Sequence, residues 1–109
     1  MLAKKFRLTS KDFARVGKQR PTRIIRGLYY SIKTFKTERA LPRIAVVAGV
    51  KVDKRAVIRN KLKRMVYNFF RLHINEFIAE DYICILYPQV ATISEELLLK
   101  DLEKLETRN

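Results

Sequence analysis

The stretch KVDKRAVIRNKLKRMVYNFFR, from Lys51 to Arg71, determines the fold expected for this sequence. Its apolar residues recur every three or four positions, the spacing of one helix face: Ile58, Leu62, Met65, Val66, Phe69 and Phe70. At about 100° per residue, the opposite face carries a polar set: Asn60, Lys63, Arg64, Tyr67 and Arg71. The spacing predicts a helix from Asp53 or Lys54 to near Ile78, unless Asn75 and Glu76 end it earlier. Such a helix is anchored in a core and holds basic groups outward at fixed positions.

Basic residues are concentrated in this stretch and in the sequence before it. Between Lys51 and Arg64 there are seven Lys or Arg residues and one acid, Asp53. Residues 1–64 hold 20 Lys or Arg and three acids, whereas residues 65–109 hold four and eight, for a net charge of +13. A protein this basic typically binds nucleic acid, with a membrane surface as the second alternative. The uneven split predicts one binding face and one solvent face.

Length and composition indicate one folded domain over residues 1–109. The chain has 109 residues, of which 48% are hydrophobic, too many for a disordered chain. Its one cysteine, Cys84, lies in an apolar run, which predicts a core residue, excludes an internal disulfide and fits a reducing cytoplasm. The start, MLAKKFRL, lacks the apolar stretch of a signal peptide, and no run is long enough to cross a membrane. We therefore expect a cytoplasmic protein.

Short elements fill the rest of the sequence and give the order α-β-β-α-β-α, an α+β fold. The elements are a helix at Lys11–Val16, a basic loop at Lys18–Arg26, strands at Gly27–Phe35 and Arg43–Val50, the long helix, a strand at Tyr82–Tyr87 and a helix capped by Ser94. We expect the first two strands to pair as a hairpin, because one polar turn joins them. The third strand is almost wholly apolar, as in a strand buried on both faces.

Residue combinations for catalysis or metal binding are absent from the sequence. His73 is the only histidine and Cys84 the only cysteine, which excludes a conventional His/Cys zinc site. There is no glycine-rich phosphate loop, and eight of the eleven acids follow residue 64, where capping and solvation explain them. We therefore expect no catalytic residue and no metal site in the protein, which argues against a protein-only nuclease.

The outward basic groups of the long helix suit a folded polyanion. Arg and Lys bind phosphate by charge, and Arg can donate two parallel hydrogen bonds to it. Asn60 can bond a base edge, a 2′-hydroxyl or a phosphate. The candidate RNA-binding residues are Lys51, Lys54, Arg55, Arg59, Asn60, Lys61, Lys63, Arg64, Tyr67 and Arg71. The alternative is a basic amphipathic helix that lies on a membrane, although a domain this small needs Phe69 and Phe70 in its core.

Aromatic residues interleave with cations in the first third of the chain, where Phe13, Tyr29 and Tyr30 lie among several Arg and Lys residues. Exposed rings beside cations can stack on unpaired bases, which is worth roughly 1–3 kcal/mol per base. Because side chains alternate along a strand, Tyr29 and Tyr30 face opposite sides. We expect one of these two rings in the core and the other on the surface.

Four segments resemble those of one protein family, in the same order. They are RLTSKDFARV at Arg7–Val16, the strand Arg43–Val47, the motif RNxxKR at Arg59–Arg64 after Ala56 and Val57, and the segment DYICILYP at Asp81–Pro88. A final helix follows them. In this order and at this length, the sequence resembles the bacterial ribonuclease P protein subunit over nearly all of its residues.

The resemblance implies an α/β sandwich whose small central sheet contains a left-handed βαβ crossover, against the general right-handed rule. It implies a protein that assists a large catalytic RNA, which uses Mg²⁺ to hydrolyse a phosphodiester and remove the 5′ leader of precursor tRNA. The protein itself then needs no metal, no obligate protein partner and no membrane. The site residues implied are Arg59, Asn60, Lys63 and Arg64 for the catalytic RNA, and Arg7, Phe13 and Tyr30 for the leader.

The sequence departs from the family pattern at three positions. Lys54 stands where the family usually has a glycine, Tyr67 where it often has an arginine, and Gly17 where a second aromatic residue is common. These departures affect the turn into the long helix, one phosphate contact and one stacking contact, and Tyr67 could stack on a base instead. The main alternative function is a ribosomal or other structured-RNA-binding protein that takes no part in cleavage.

Overall fold

The computed structural model describes residues 4–104. It consists of a four-stranded mixed sheet with helices on both faces. The strands are β1 (Arg23–Arg26), β2 (Tyr30–Lys36), β3 (Arg43–Val47) and β4 (Glu80–Leu86), and the helices are α1 (Ser10–Val16), α2 (Ala56–His73) and α3 (Glu95–Glu103). Short 3₁₀ turns lie at Lys4–Phe6, Ile74–Glu76 and Pro88–Thr92. The arrangement confirms the predicted α+β class. Within residues 4–104, no helix is long and apolar enough to cross a membrane.

The strands lie in the order β1-β2-β4-β3, so the predicted hairpin of Gly27–Phe35 with Arg43–Val50, which correspond to β2 and β3, is wrong. β4 lies between β2 and β3, antiparallel to β2 and parallel to β3. The physical reason is the apolar composition of β4, because a strand with apolar side chains on both faces is most stable in the interior of a sheet. The connection β3–α2–β4 therefore joins two parallel neighbours. The left-handedness of this crossover remains a prediction from the family resemblance.

The segment predicted as a basic loop contains the edge strand β1, which pairs antiparallel with β2. Its sequence RIIR has only two apolar residues between two cations, too few for a strand signal. β1 pairs with β2 along one edge, and within residues 4–104 no strand of the sheet pairs with its other edge. The cations at both ends of β1 are typical of an edge strand, because they oppose pairing with a strand of another chain. The predicted loop Lys18–Arg26 is thus corrected to a short loop followed by a strand.

The main core lies between the sheet and the two longer helices. Side chains of one sheet face, including Tyr30, Ile32 and Cys84, pack there against α2 and α3. Of the apolar anchors predicted for the second half of α2, Val66, Phe69 and Phe70 are buried, and Met65 is partly buried against the same core. The core also contains Tyr82 and Leu86 of β4, Val90, and Leu98 and Leu102 of α3. The expected burial of Cys84 is confirmed.

The other sheet face is covered only in part, because α1 has just seven residues. Leu8 and Val16 pack on Phe35, Ala45 and Ile83 in a second, smaller core. Thr9 caps α1, since its hydroxyl accepts the Asp12 N–H at 3.2 Å while the Asp12 carboxylate accepts the Thr9 N–H at 3.3 Å. The uncovered part of this face lies beside α1 and is the first candidate surface for a ligand.

A buried ion network fastens α1 to the sheet. The Arg43 guanidinium donates two hydrogen bonds of 2.9 Å to the Asp81 carboxylate, and both residues are buried. Its third nitrogen lies 3.3 Å from the Asp12 carboxylate of α1. The hydrogen bonds to Asp81 raise the pKa of Arg43, and those from Thr9 lower the pKa of Asp12. The network therefore holds three charges at the junction of α1, β3 and β4.

Candidate nucleic-acid interface

Three polar side chains on the outer face of α2 are available to a ligand: Asn60, Lys63 and Arg64, here called the α2 patch. Asn60 and Arg64 are exposed, and Lys63 is half-buried along its stem. Asn60 and Arg64 are four residues apart and lie one above the other on the helix surface. None of the three side chains has a hydrogen bond or ion pair with another residue between 4 and 104. The α2 patch therefore presents two cations and one amide at fixed positions.

The turn before α2 presents further cations. Lys51, Lys54 and Arg55 are exposed there, and α2 begins only at Ala56, later than predicted. The Asp53 carboxylate accepts the Arg55 N–H at 2.8 Å, which stabilises this turn outside the helix. Its hydrogen bonds with the Arg55 side chain lower the pKa of Asp53 and raise that of Arg55. At the other end, α2 stops at His73, and the 3₁₀ turn through Asn75 and Glu76 matches the predicted break.

Lys54 occupies the glycine position of the family without a strained backbone. No described residue, glycine included, has a positive φ, so the turn here does not use the left-handed conformation that favours glycine. The substitution instead adds a cation beside the start of a helix, whose free N–H groups carry partial positive charge. A phosphate bound at this point would contact Lys54 and Lys51 together, which offsets their repulsion in the free protein.

Besides Arg55, four predicted RNA-binding residues make contacts inside the chain. The Arg59 guanidinium donates to the backbone carbonyls of Asp53 and Lys54, both at 2.9 Å. Lys61 forms an ion pair of 3.0 Å with Glu95 of α3. The Arg71 guanidinium donates two hydrogen bonds to the Asn68 side chain, and Tyr67 bonds to β3. Lys61 and Arg71 remain exposed, so only Arg59 and Tyr67 are clearly turned away from the outer face.

The prediction that Tyr67 lies on the basic face of α2 is wrong. It is half-buried, and its hydroxyl accepts the Val46 N–H at 3.0 Å on the outer edge of β3. Tyr67 lies beside the buried face of α2 that contains Val66 and Phe70. From there its long side chain reaches over the outer edge of β3. It lines a cavity of about 280 Å³ together with Phe13 of α1. Tyr67 therefore belongs to the α1 side of the interface.

Phe13 is the exposed ring expected for stacking, with 38% of its surface accessible. It projects from α1 over the end of β3, where Ala45 and Val47 form the floor of the same cavity. Arg7 precedes α1 as an extended residue beside Ile44, and the next residue, Leu8, donates its N–H to the Ile44 carbonyl at 2.9 Å. This pairing extends the sheet edge and fixes the position from which α1 and Phe13 start.

Tyr30 cannot be a leader-binding residue in this structure, which corrects the prediction. Its ring is fully buried in the main core, and its hydroxyl donates to the Asp101 carbonyl at 3.0 Å. The alternation of side chains along β2 places Ser31, Lys33 and Phe35 on the α1 side instead. Tyr29, the alternative surface ring, is half-buried against the main core. The pattern of β2 could have indicated this, because its central apolar positions Tyr30 and Ile32 share one face.

Two cations that were not predicted as site residues lie on the α1 side of the sheet. Arg26 pairs with Ser31, and Lys33 pairs with Ile24, so the register places these four side chains on the same face. Arg26 is exposed and Lys33 is half-buried. The row Arg26, Ser31, Ile85, Val47 crosses all four strands toward Phe13. At about 4.8 Å per strand, this row is about 14 Å long.

This row, together with Lys33 and Phe13, is here called the α1 groove. It combines an apolar floor, one exposed ring and two cations, the composition of a surface that binds single-stranded nucleic acid. The pairing of β1 with β2 brings Arg26 and Lys33 to this apolar surface. The sequence alone does not reveal this pairing. Among residues 4–104, no group of three His, Cys, Asp or Glu side chains could share a metal ion.

Comparison with known proteins identifies the family of this chain. Residues 2–109 match the family model described as Ribonuclease P. The chain belongs to the ribonuclease P protein family. The ribonuclease P protein components of Proteus mirabilis and Yersinia enterocolitica are each 35% identical to it over 68 residues, or 62% of this chain and 57% of the relative. The aligned part thus spans little more than half the length of these curated relatives.

Solved structures of the family share the fold. The RNase P protein from Staphylococcus aureus has a TM-score of 0.80 at 24% identity, with 91% of this chain and 90% of that chain covered. The RNase P protein from Thermotoga maritima has a TM-score of 0.76 at 22% identity, with 91% and 92% covered. The chain therefore keeps the fold of the family although it departs from the family pattern at Lys54, Tyr67 and Gly17. One of them, Gly17, ends α1 and leaves Phe13 without a second ring four residues later.

Proposed function

We propose that this chain is the protein subunit of ribonuclease P and binds two RNAs with two different surfaces. The α2 patch and the turn before it dock on the catalytic RNA, and the α1 groove holds the 5′ leader of precursor tRNA. The observation that carries this proposal is the placement of the two surfaces on opposite faces of one small sheet. A protein that only had to bind one folded RNA would need just the first of them.

The chemistry proposed for the protein is binding and positioning. Lys63 and Arg64 neutralise phosphates of the catalytic RNA, and Asn60 bonds a base edge or a 2′-hydroxyl. Phe13 stacks on an unpaired leader base, while Arg26 and Lys33 attract the leader phosphates. The Mg²⁺ ions that hydrolyse the phosphodiester are assigned to the catalytic RNA. By lowering the charge repulsion between two RNAs, the protein promotes cleavage at the mature 5′ end, which we place in the cytoplasm.

Reconstituted cleavage tests this proposal. The purified protein is mixed with a bacterial ribonuclease P RNA and 5′-extended precursor tRNA at low Mg²⁺, where the RNA alone is slow. The protein should stimulate cleavage at the mature 5′ end. No stimulation with a cognate RNA would contradict the proposal, and binding to ribosomal subunits instead would favour a structured-RNA-binding protein without a role in cleavage. Cutting by the protein without the RNA would indicate a protein-only nuclease.

Phe13→Ala should weaken the binding of leader-bearing precursor tRNA to the reconstituted enzyme by roughly 1–3 kcal/mol, the value of one stacked base. Mature tRNA should bind with unchanged affinity, since it has no leader. Equilibrium binding of both tRNAs measures the difference. Leu97→Ala on α3 is the matched control, because Leu97 is 43% exposed, similar to Phe13, but lies on the other face of the sheet. Equal losses for both tRNAs would assign Phe13 to the core rather than to the leader.

A further inference from the structure

Arg59 belongs to the motif expected to face RNA, yet its side chain turns back toward the protein. One nitrogen of its guanidinium donates to the carbonyls of both Asp53 and Lys54, which lie six and five residues earlier. The side chain is half-buried, unlike the exposed Arg64. Charge-assisted hydrogen bonds of 2.9 Å are stronger than bonds between neutral groups. Arg59 therefore fixes the backbone of the turn that precedes α2.

The same turn is held by two further contacts, while two of its three cations, Lys51 and Lys54, remain unpaired among residues 4–104. The Asp53 carboxylate accepts the Arg55 N–H, and Val52 is buried in the main core, with its N–H donating to the Gly49 carbonyl at 3.0 Å. The Lys51 and Lys54 side chains are exposed and have no hydrogen bond or ion pair with the described residues. The backbone that carries these two lysines is thus rigid at the positions where Arg59 contacts it.

We propose that Arg59 is a positioning residue: it contributes to RNA binding by fixing the turn that presents Lys51 and Lys54, and it does not contact RNA. This inference rests on the proposed function, because the RNA in question is the catalytic RNA of ribonuclease P. A cation on a fixed backbone loses less conformational freedom when it binds a phosphate, so a fixed turn increases affinity. Without Arg59, both lysines would keep their charge but lose their fixed spacing.

A mutant cycle separates positioning from direct contact. Arg59→Met retains the apolar stem and removes the donors, and its effect on affinity for ribonuclease P RNA is measured in three backgrounds. In the wild-type background the loss should be at least about threefold. It should nearly vanish when Lys51→Met and Lys54→Met are already present, but persist beside Arg64→Met. Equal losses in all three backgrounds would overturn the inference, because a direct phosphate contact adds independently to the others.

Nuclear magnetic resonance of the wild-type guanidinium groups tests the inference even if Arg59→Met does not fold. The Nη signals of Arg59 should be separate in the free protein, because its two carbonyl contacts slow rotation, and RNA should leave them unchanged. Those of Arg64 should be averaged until RNA binds. An Arg59 signal that changes with RNA as the Arg64 signal does would overturn the inference. If the wild-type protein does not bind the RNA, the proposed function fails and the inference fails with it.

Discussion

Asp81→Ala should lower the free energy of unfolding by about 3–5 kcal/mol, because it leaves a buried guanidinium without its main counter-charge. Only 6% of Arg43 and 2% of Asp81 are exposed, so water cannot replace the lost hydrogen bonds. The Asp12 carboxylate, 3.3 Å from Arg43, compensates only in part because it lies at the surface end of the network. Urea denaturation followed by circular dichroism measures the change.

Two variants distinguish an unpaired charge from a simple loss of packing. The double replacement Arg43→Met with Asp81→Leu removes both charges, and it should cost much less than Asp81→Ala alone. Asp12→Ala should cost about 1 kcal/mol, since it removes a partly exposed cap and ion pair. A loss below about 1 kcal/mol for Asp81→Ala would mean that the network is not essential to the attachment of α1.

The combined replacement of Asn60, Lys63 and Arg64 by alanine should reduce affinity for ribonuclease P RNA by about 100-fold or more at physiological salt. Each charged hydrogen bond to a phosphate contributes about 1.5–3 kcal/mol, and two of these are lost together with the neutral hydrogen bond of Asn60. The log–log slope of affinity against salt should fall by about two, one for each lost phosphate contact of Lys63 and Arg64. Asn60 is neutral and should not alter the slope. Binding titrations at several salt concentrations measure both quantities.

Lys36→Ala combined with Arg39→Ala is the matched control for charge. These two exposed cations lie at the opposite end of the sheet, where β2 ends and before β3 begins. Their removal changes the net charge by the same two units as the loss of Lys63 and Arg64. The control should leave the salt slope nearly unchanged. A slope that falls equally in both variants would show that the RNA responds to net charge and not to the α2 patch.

The local parts of this fold could be predicted from the sequence, because they depend on periodicity and caps. The spacing of Val66, Phe69 and Phe70 predicts the buried face of α2, and Ser94 predicts the start of α3, which it caps. The composition of β4 predicts a strand buried on both faces. Strand order could not be predicted in the same way, because it depends on which strands bury the most apolar surface together.

The residues of the interface also fall into those that the sequence predicts and those that depend on tertiary structure. Asn60, Lys63 and Arg64 were identified from helix geometry and lie outward in the structure. The spacing predicts Tyr67 on the same face and Arg59 beside it as a further RNA-binding residue, but long side chains can reach across a helix to backbone groups that spacing does not reveal. Arg26 and Lys33 were missed as site residues, because only the pairing of β1 with β2 brings them to the α1 groove. Tyr30, predicted to bind the leader, lies in the main core instead.

The chain is well suited to crosslinking, because its single cysteine does not react. Cys84 is fully buried, and burial raises the pKa of its thiol to about 12, so it stays protonated and inaccessible. A photoreactive group can therefore be attached only to a cysteine introduced on the surface. Asn60→Cys places it on the α2 patch, and Lys33→Cys places it in the α1 groove. The wild-type protein, treated with the same reagent, is the control.

Crosslinking in the assembled complex with ribonuclease P RNA and precursor tRNA tests the division of labour between the two surfaces most directly. The group at position 60 should crosslink to the catalytic RNA, and the group at position 33 should crosslink to the 5′ leader. Crosslinks from position 33 should disappear when mature tRNA replaces the precursor. If both positions crosslink to the same RNA, or position 33 crosslinks equally without a leader, the assignment of the two faces is contradicted.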